Sequence, residues 1–171
     1  MIKRLGIAII IVFILTGVSF AIEKEIKNNA QDDRFVAYDN GTVYDKKTGL
    51  MWASRDNGSD IEWQDAKNYC EHYTAGGYTG WRMPTQEELA GLYDADETYK
   101  ACEYDVHLTD LIRISCYSVW ASAIRTKGLT YAILGDRAAG FDFMTARYDW
   151  YKPEQGYYRR ALPVRVHNVT P

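Results

Sequence analysis

The chain has 171 residues, 47% of them hydrophobic and 25% charged, with 20 Lys and Arg against 23 Asp and Glu. That mildly acidic balance excludes nucleic acid or another broad polyanion as the main partner, because no excess of basic charge is present to neutralise it. The length suits one domain with a core of its own.

Lys3 and Arg4 precede an uncharged run, Leu5 to Val18, followed by Ser19-Phe20-Ala21. A positive start, a short apolar run and small residues at −3 and −1 describe a secretory signal peptide, residues 1–21, cut after Ala21. The alternative is a retained anchor, since Leu5 to Ile22 supplies 18 uncharged residues, the lower edge of a membrane span. A membrane partner is expected only in that case. No cysteine follows the apolar run, which argues against a lipoprotein. The expected location is periplasmic, secreted or at the cell surface. Removing Lys3 and Arg4 leaves 18 basic against 23 acidic residues, a net charge of −5. Residues 22–33 are polar without apolar periodicity and read as a flexible leader. The folded domain is expected over 34–168.

Arg34–Tyr38 alternates and stops at Asp39-Asn40-Gly41, a hairpin signal because Asn and Gly tolerate positive φ. Thr42–Asp45 and Leu50–Ala53 follow as two strands joined by Lys46-Lys47-Thr48-Gly49. The acidic stretch Asp56-Asn57-Gly58-Ser59-Asp60 has oxygens at calcium-like spacing. It lacks the twelve-residue order and closing glutamate of a calcium loop, and reads as a solvated turn. Trp63, Ala66, Cys70 and Tyr73 recur at three- and four-residue steps, one face of a helix. Glu62 is a poor cap for it, so Ser59 or Asp60 is expected in that role. Gly76, Gly77 and Gly80 break the helix. Thr85 and Glu88 then form a T-x-x-E capping box for a second helix whose Leu89, Leu92 and Tyr93 face inward.

Asp105–Ser115 carries Leu108, Leu111 and Ile112 at helical spacing, a short third helix or a turn. Tyr117–Ala123, Leu129–Leu134, Phe141–Thr145 and Ala161–Val166 read as strands. Strands, then helices, then strands again make an α+β domain whose terminal strands can pair.

Chemistry-bearing residues are sparse. Of the three cysteines, Cys102 and Cys116 flank a connecting segment and are expected to form a disulfide in an oxidising compartment. Cys70, on the apolar helix face, reads as a buried free thiol. His72, His107 and His167 are scattered, with no H-x-x-x-H or C-x-x-C, so no metal or cofactor is expected. Glu87 and Glu88 are neighbours that point about 100° apart on a helix, and capping explains them better than acid–base work. No catalytic constellation emerges, and the chain is not expected to be an enzyme.

The segments W-x-D-A-x-x-Y-C (Trp63–Cys70) and W-R-M-P-T-x-E-E-L (Trp81–Leu89) resemble the Lcl C-terminal domain family, a group of bacterial extracytoplasmic domains. The likeness runs upstream to Asp39–Val43 and Lys47–Trp52, and downstream to Val119–Ser122 and Pro163–Arg165. The second segment is also similar to the R-L-P-T-E-A-E-W signature of formylglycine-generating enzymes. The resemblance therefore implies a C-type-lectin-like fold. It does not imply the oxidase activity, because those enzymes use a late cysteine pair and no cysteine follows Cys116. Nor are the E-P-N or Q-P-D calcium triplets of sugar-binding lectins present; Lys152-Pro153-Glu154-Gln155 has the wrong order. Trp52, Trp63, Trp81 and Trp120 occupy the shared motif positions with Cys70, Pro84, Thr85 and Glu88, and are expected to be structural.

The segment Arg147–Arg160 differs. It gathers tyrosine, tryptophan and arginine around Lys152-Pro153 and Gly156, the composition of binding surfaces. Late loops carry recognition in lectin-like folds, so Arg147, Tyr148, Trp150, Tyr151, Tyr157 and Arg159 are the expected ligand-binding residues. The alternative is a loop folding its own aromatics onto the domain. The expected function is a recognition or adhesion module for a glycan or an envelope protein. The alternatives are a structural subunit of an envelope complex and a diverged enzyme on the formylglycine-generating scaffold. The family's namesake is an adhesin domain implicated in binding sulfated glycosaminoglycans, a ligand that a net charge of −5 disfavours here.

Overall fold

In the computed structural model, which describes residues 33–126 and 135–167, turn chemistry sets the amino-terminal strands. Strand β1 (Phe35–Ala37) pairs antiparallel with β2 (Thr42–Asp45), and β2 with β3 (Leu50–Ala53). The first turn is held by Asn40 Oδ1, which accepts from the Thr42 amide (3.2 Å) and hydroxyl (2.7 Å). Gly41, at φ 83°, takes a conformation that side chains rarely adopt. The second turn is organised by the fully buried Asp45, which receives the Lys47 amide, the Thr48 hydroxyl and the Arg34 guanidinium. Strand β10 (Val164–Val166) returns to pair antiparallel with β3, so the first sheet has the order β1-β2-β3-β10. The last strand thus joins the sheet of the first three, although it pairs with β3 and not with β1.

The second sheet holds β6 (Ser118–Arg125), β7 (Arg137–Asp142), β8 (Arg147–Tyr151) and the two-residue β9 (Arg159–Arg160) in the order β8-β7-β6-β9. Its pairings are antiparallel except β6 with β9, which is parallel. Alternation along β6 sends Val119 and Ala121 to one face and Trp120 to the other. Val119 and Ala121 join Leu89 and Leu92 of helix α2 (Gln86–Leu92) and Val43 and Trp52 of the first sheet in the larger core. Trp120 joins Trp63, Ala66 and Cys70 of helix α1 (Trp63–Glu71) in the smaller one. Both faces of the second sheet are thus covered, giving an α+β domain. A separate hairpin, β4 (Tyr99–Ala101) with β5 (Tyr104–Val106), precedes the second sheet.

Several expectations are corrected. Neither Ser59 nor Asp60 caps α1. Its N-cap is Glu62, whose side chain makes no capping bond, and the Trp63 amide donates instead to the Pro153 carbonyl at 3.0 Å. Of the two alternatives for Asp105–Ser115, the turn and not the helix forms, after β5 takes the start of the segment; in it the Tyr99 hydroxyl accepts from the Ile114 amide and donates to the Ile112 carbonyl. Strand β7 ends at Asp142, because its carboxylate accepts the Met144 and Thr145 amides and turns the chain. Ala161–Pro163 lies between β9 and β10. Arg147–Tyr151, expected as the start of a loop, is strand β8 at the sheet edge. The signal segment, the leader up to residue 32 and the strand expected over Leu129–Leu134 lie outside the described residues.

Candidate functional site

The stretch Trp81–Glu88 works as a joint. Thr85 Oγ1 accepts from the Glu88 amide (3.1 Å) while Glu88 Oε2 accepts from the Thr85 amide (2.8 Å), a reciprocal cap. The same carboxylate takes both arms of the Arg82 fork at 2.8 and 2.6 Å. Burial works upward on Glu88, yet the Arg82 fork and the Thr85 amide hold its carboxyl below the usual range. The Arg82 backbone bridges to Val164, tying the joint to β10, and the buried Pro84 accepts the Ser122 amide of β6. Indole nitrogens of Trp63, Trp81 and Trp120 donate to the carbonyls of Ala121, Tyr78 and Ile61. All four motif tryptophans are buried. Cys70 is free and buried, and burial pushes its thiol up to about 12. These contacts tie the joint, both helices and both sheets together.

The acidic stretch 56–60 is only partly the solvated turn expected: Gly58, Ser59 and Asp60 are exposed, but its first residues are drawn into the fold. Asp56 is buried, with Oδ2 accepting from the Ser115 amide (2.6 Å) and hydroxyl (3.0 Å) and Oδ1 from the Gly58 amide (2.8 Å). The buried Arg160 donates from Nε to Ser115 Oγ (2.6 Å) and from Nη1 to Asp60 Oδ1 (2.5 Å). Asn57 exchanges bonds with the Ala161 backbone. Burial raises the Asp56 carboxyl against the pull of Ser115, Gly58 and Arg160. The stretch is a clasp on the late chain. Among the described residues, no group of three His, Cys, Asp or Glu side chains is placed to hold a metal ion.

The clasp positions a surface. Asp60 Oδ1 also accepts the Tyr158 amide (3.1 Å), and Tyr158 sits at φ 62°, in the left-handed region that a bulky residue adopts only when held there. Its ring stacks on Tyr117 at 5.6 Å and meets the edges of Tyr157 and Tyr104 at 4.8 and 6.4 Å. Tyr104 in turn meets Tyr117 at 4.9 Å. The Cys102–Cys116 disulfide holds the β4–β5 hairpin, and so Tyr104, beside Tyr117. Tyr157 is 69% exposed and Tyr104 and Tyr158 are each 39% exposed. Four tyrosines from three segments therefore share one outward face.

The model of the Lcl C-terminal domain family matches residues 41–165. The chain belongs to that family. Comparison with curated proteins returned no match, and neither did comparison with solved structures. The Lcl C-terminal domain thus spans the first sheet from the β1–β2 turn onward, both helices, the clasp and the tyrosine face.

Within this Lcl C-terminal domain, the residues expected to bind ligand divide. Arg159 lies over the Tyr151 ring at 3.4 Å and near Trp120 at 5.3 Å, while its Nη1 donates to the Gln155 and Tyr157 carbonyls. Tyr151 also donates its hydroxyl to Asp149. Arg159 and Tyr151 are therefore largely engaged within the fold. Trp150 packs against the larger core, with Arg125 over its ring at 3.6 Å. Arg147 and Tyr148 are exposed at the sheet edge opposite β9. Only Tyr157 of the expected set is a member of the tyrosine face. Tyr104, Tyr117 and Tyr158 were not singled out by sequence. The adjacency of Cys102 to Tyr104 and of Cys116 to Tyr117 was the available signal, since the expected disulfide brings those tyrosines together.

Proposed function

We propose that this Lcl C-terminal domain is an exported, non-catalytic recognition module with a C-type-lectin-like fold, and that it binds a glycan or an envelope protein through its tyrosine face. The observation that carries this reading is the cluster of the exposed Tyr104, Tyr157 and Tyr158 around the half-buried Tyr117, held by a disulfide on one side and by Asp60 on the other. Tyrosine offers a flat apolar ring for a sugar or a side chain and a hydroxyl for hydrogen bonding, with few rotatable bonds to freeze. A face ordered before contact avoids part of the entropic cost of association. The α+β architecture, the return of the last strand to the first sheet and the late position of Tyr157 and Tyr158 support the lectin-like assignment. The disulfide supports export to an oxidising compartment.

The test is a glycan array together with a pull-down from envelope extract, using wild type and a Tyr157→Ala variant. Tyr157 is mostly exposed, so the variant should keep its circular dichroism and melting temperature while losing at least tenfold in affinity. Full retention of binding by the folded variant, or no ligand in either assay, would remove the tyrosine face from function.

A further inference from the structure

A hollow beside the clasp has a chemistry different from that of the tyrosine face. Residues 55 and 113 form an isolated parallel bridge, made by the Arg113 amide to the Ser54 carbonyl (2.9 Å) and the Asp56 amide to the Arg113 carbonyl (3.2 Å). Residues paired across a parallel bridge lie about 5 Å apart and project their side chains to the same side. Here both are arginines. Like charges directly opposite one another repel; both side chains are exposed, so solvent screens part of that repulsion and a bound anion relieves the rest.

The neighbouring acids do not fully answer that charge. Asp110 approaches Arg113 at 3.4 Å, and Arg113 also lies over the Tyr99 ring. Arg55 has no ion pair among the described residues. Asp56 is committed to Ser115, Gly58 and Arg160, with its side chain only 3% exposed. Between the arginines opens a hollow of about 500 Å³ lined by Arg55, Asp56, Gly58, Arg113, Ile114 and Ser115. That volume falls within the range of small-molecule sites.

We propose that this hollow binds the carboxylate of a small ligand, held between the Arg55 and Arg113 guanidinium groups. The charge count selects the class: with Asp110 set against Arg113, one negative charge balances Arg55. A dianion would meet Asp56 at the floor. A planar carboxylate also matches the fork of a guanidinium with two parallel hydrogen bonds. The site shares no residue with the tyrosine face, so the two readings stand or fall separately.

The experiment follows amide chemical shifts of the full domain during titration with galacturonate and with N-acetylglycine. Galactose, N-acetylglycinamide and sulfate are the controls. Saturable shifts at Gly58 and Ser115 with either carboxylate, absent with the two neutral analogues and weaker with sulfate, are expected. Response to galacturonate alone assigns an acidic sugar; response to N-acetylglycine alone assigns a peptide carboxyl terminus; response to both assigns a general carboxylate site. Arg55→Gln should weaken binding at least tenfold without lowering the melting temperature, because it removes a repulsive neighbour of Arg113. Tyr157→Ala should leave these titrations unchanged. The proposal is overturned if neither carboxylate saturates, if the neutral analogues or sulfate bind equally well, or if folded Arg55→Gln binds as wild type does.

Discussion

Gly156 lies directly against the backbone of Ile61: a Cβ at 156 would fall 2.7 Å from both the carbonyl carbon and oxygen of Ile61. The neighbour is main chain and cannot rotate away. This contact explains how the Pro153 carbonyl reaches the Trp63 amide and stands in for a side-chain cap on α1. Gly156→Ala should therefore lower unfolding stability by about 1–3 kcal/mol, the usual cost of overpacking. Gly91, inside α2 with open space where its Cβ would stand, is the matched control. Gly91→Ala should stabilise by roughly 0.5–1 kcal/mol. Denaturant titration of both variants checks the pair; equal effects would discount the close approach.

The pH dependence of stability should separate the carboxylates. Burial pulls Asp45 and Glu88 upward, but Arg34 and Arg82 with nearby donors outweigh it and leave both pKa values below normal. A depressed folded-state pKa contributes stability that is present above the ordinary carboxyl value and lost as pH falls through the folded one. Asp56, raised chiefly by burial, has the opposite sign and favours the fold as it protonates. Urea midpoints measured from about pH 7 down to about pH 3 should fall on the acid side. Asp45→Asn and Glu88→Gln should flatten that fall, and Asp56→Asn should steepen it. A flatter profile in Asp56→Asn would contradict the assignment.

Cys70 should be inert while the domain is folded. Its thiol is fully buried and pushed up to about 12, so almost no thiolate is present at neutral pH. Maleimide should label it only in denaturant. Cys70→Ala should cost on the order of 1 kcal/mol as a small core truncation. Rapid labelling of the native protein would show that the α1 side of the core opens.

The Cys102–Cys116 bridge closes a loop with a sequence separation of 14. Its replacement by two serines should cost about 3 kcal/mol through the freedom returned to the unfolded chain. Tyr104 should lose its fixed place beside Tyr117, so binding at the tyrosine face should weaken even below the new melting temperature. Peptide mapping without reductant should join Cys102 to Cys116; a link from Cys70 to either would refute the pairing.

What was legible in the sequence was local. Asn40 and Gly41 turn the chain over a few residues, and Thr85 finds Glu88 within one helical turn, so both could be read from spacing. Asp56 and Asp60 looked like a wet turn because their partner, Arg160, is 100 residues from Asp60. Asp60 could not cap α1 for the same reason. Strand β8 was hidden because Arg147 and Tyr148 are exposed and its aromatic content resembles a binding loop. Its pairing with β7 supplies what side-chain pattern did not. Tyr158 has no sequence signature for a left-handed backbone; the Asp60 bond that holds it is again long-range.

The clasp also orders events in time. Asp56 and Asp60 are made early, yet the cation that satisfies them is Arg160, close to the segment that completes the first sheet through β10. A nascent chain stopped before residue 159 has an open edge on β3, an open edge on β6 and a carboxylate at 56 bound for a dry interior without its counter-charge. Contacts of such wide separation are slow to form and keep the chain loose until its last stretch is available. Completion of the native fold is accordingly expected to wait for the last stretch of the chain, when β9, β10 and Arg160 arrive together.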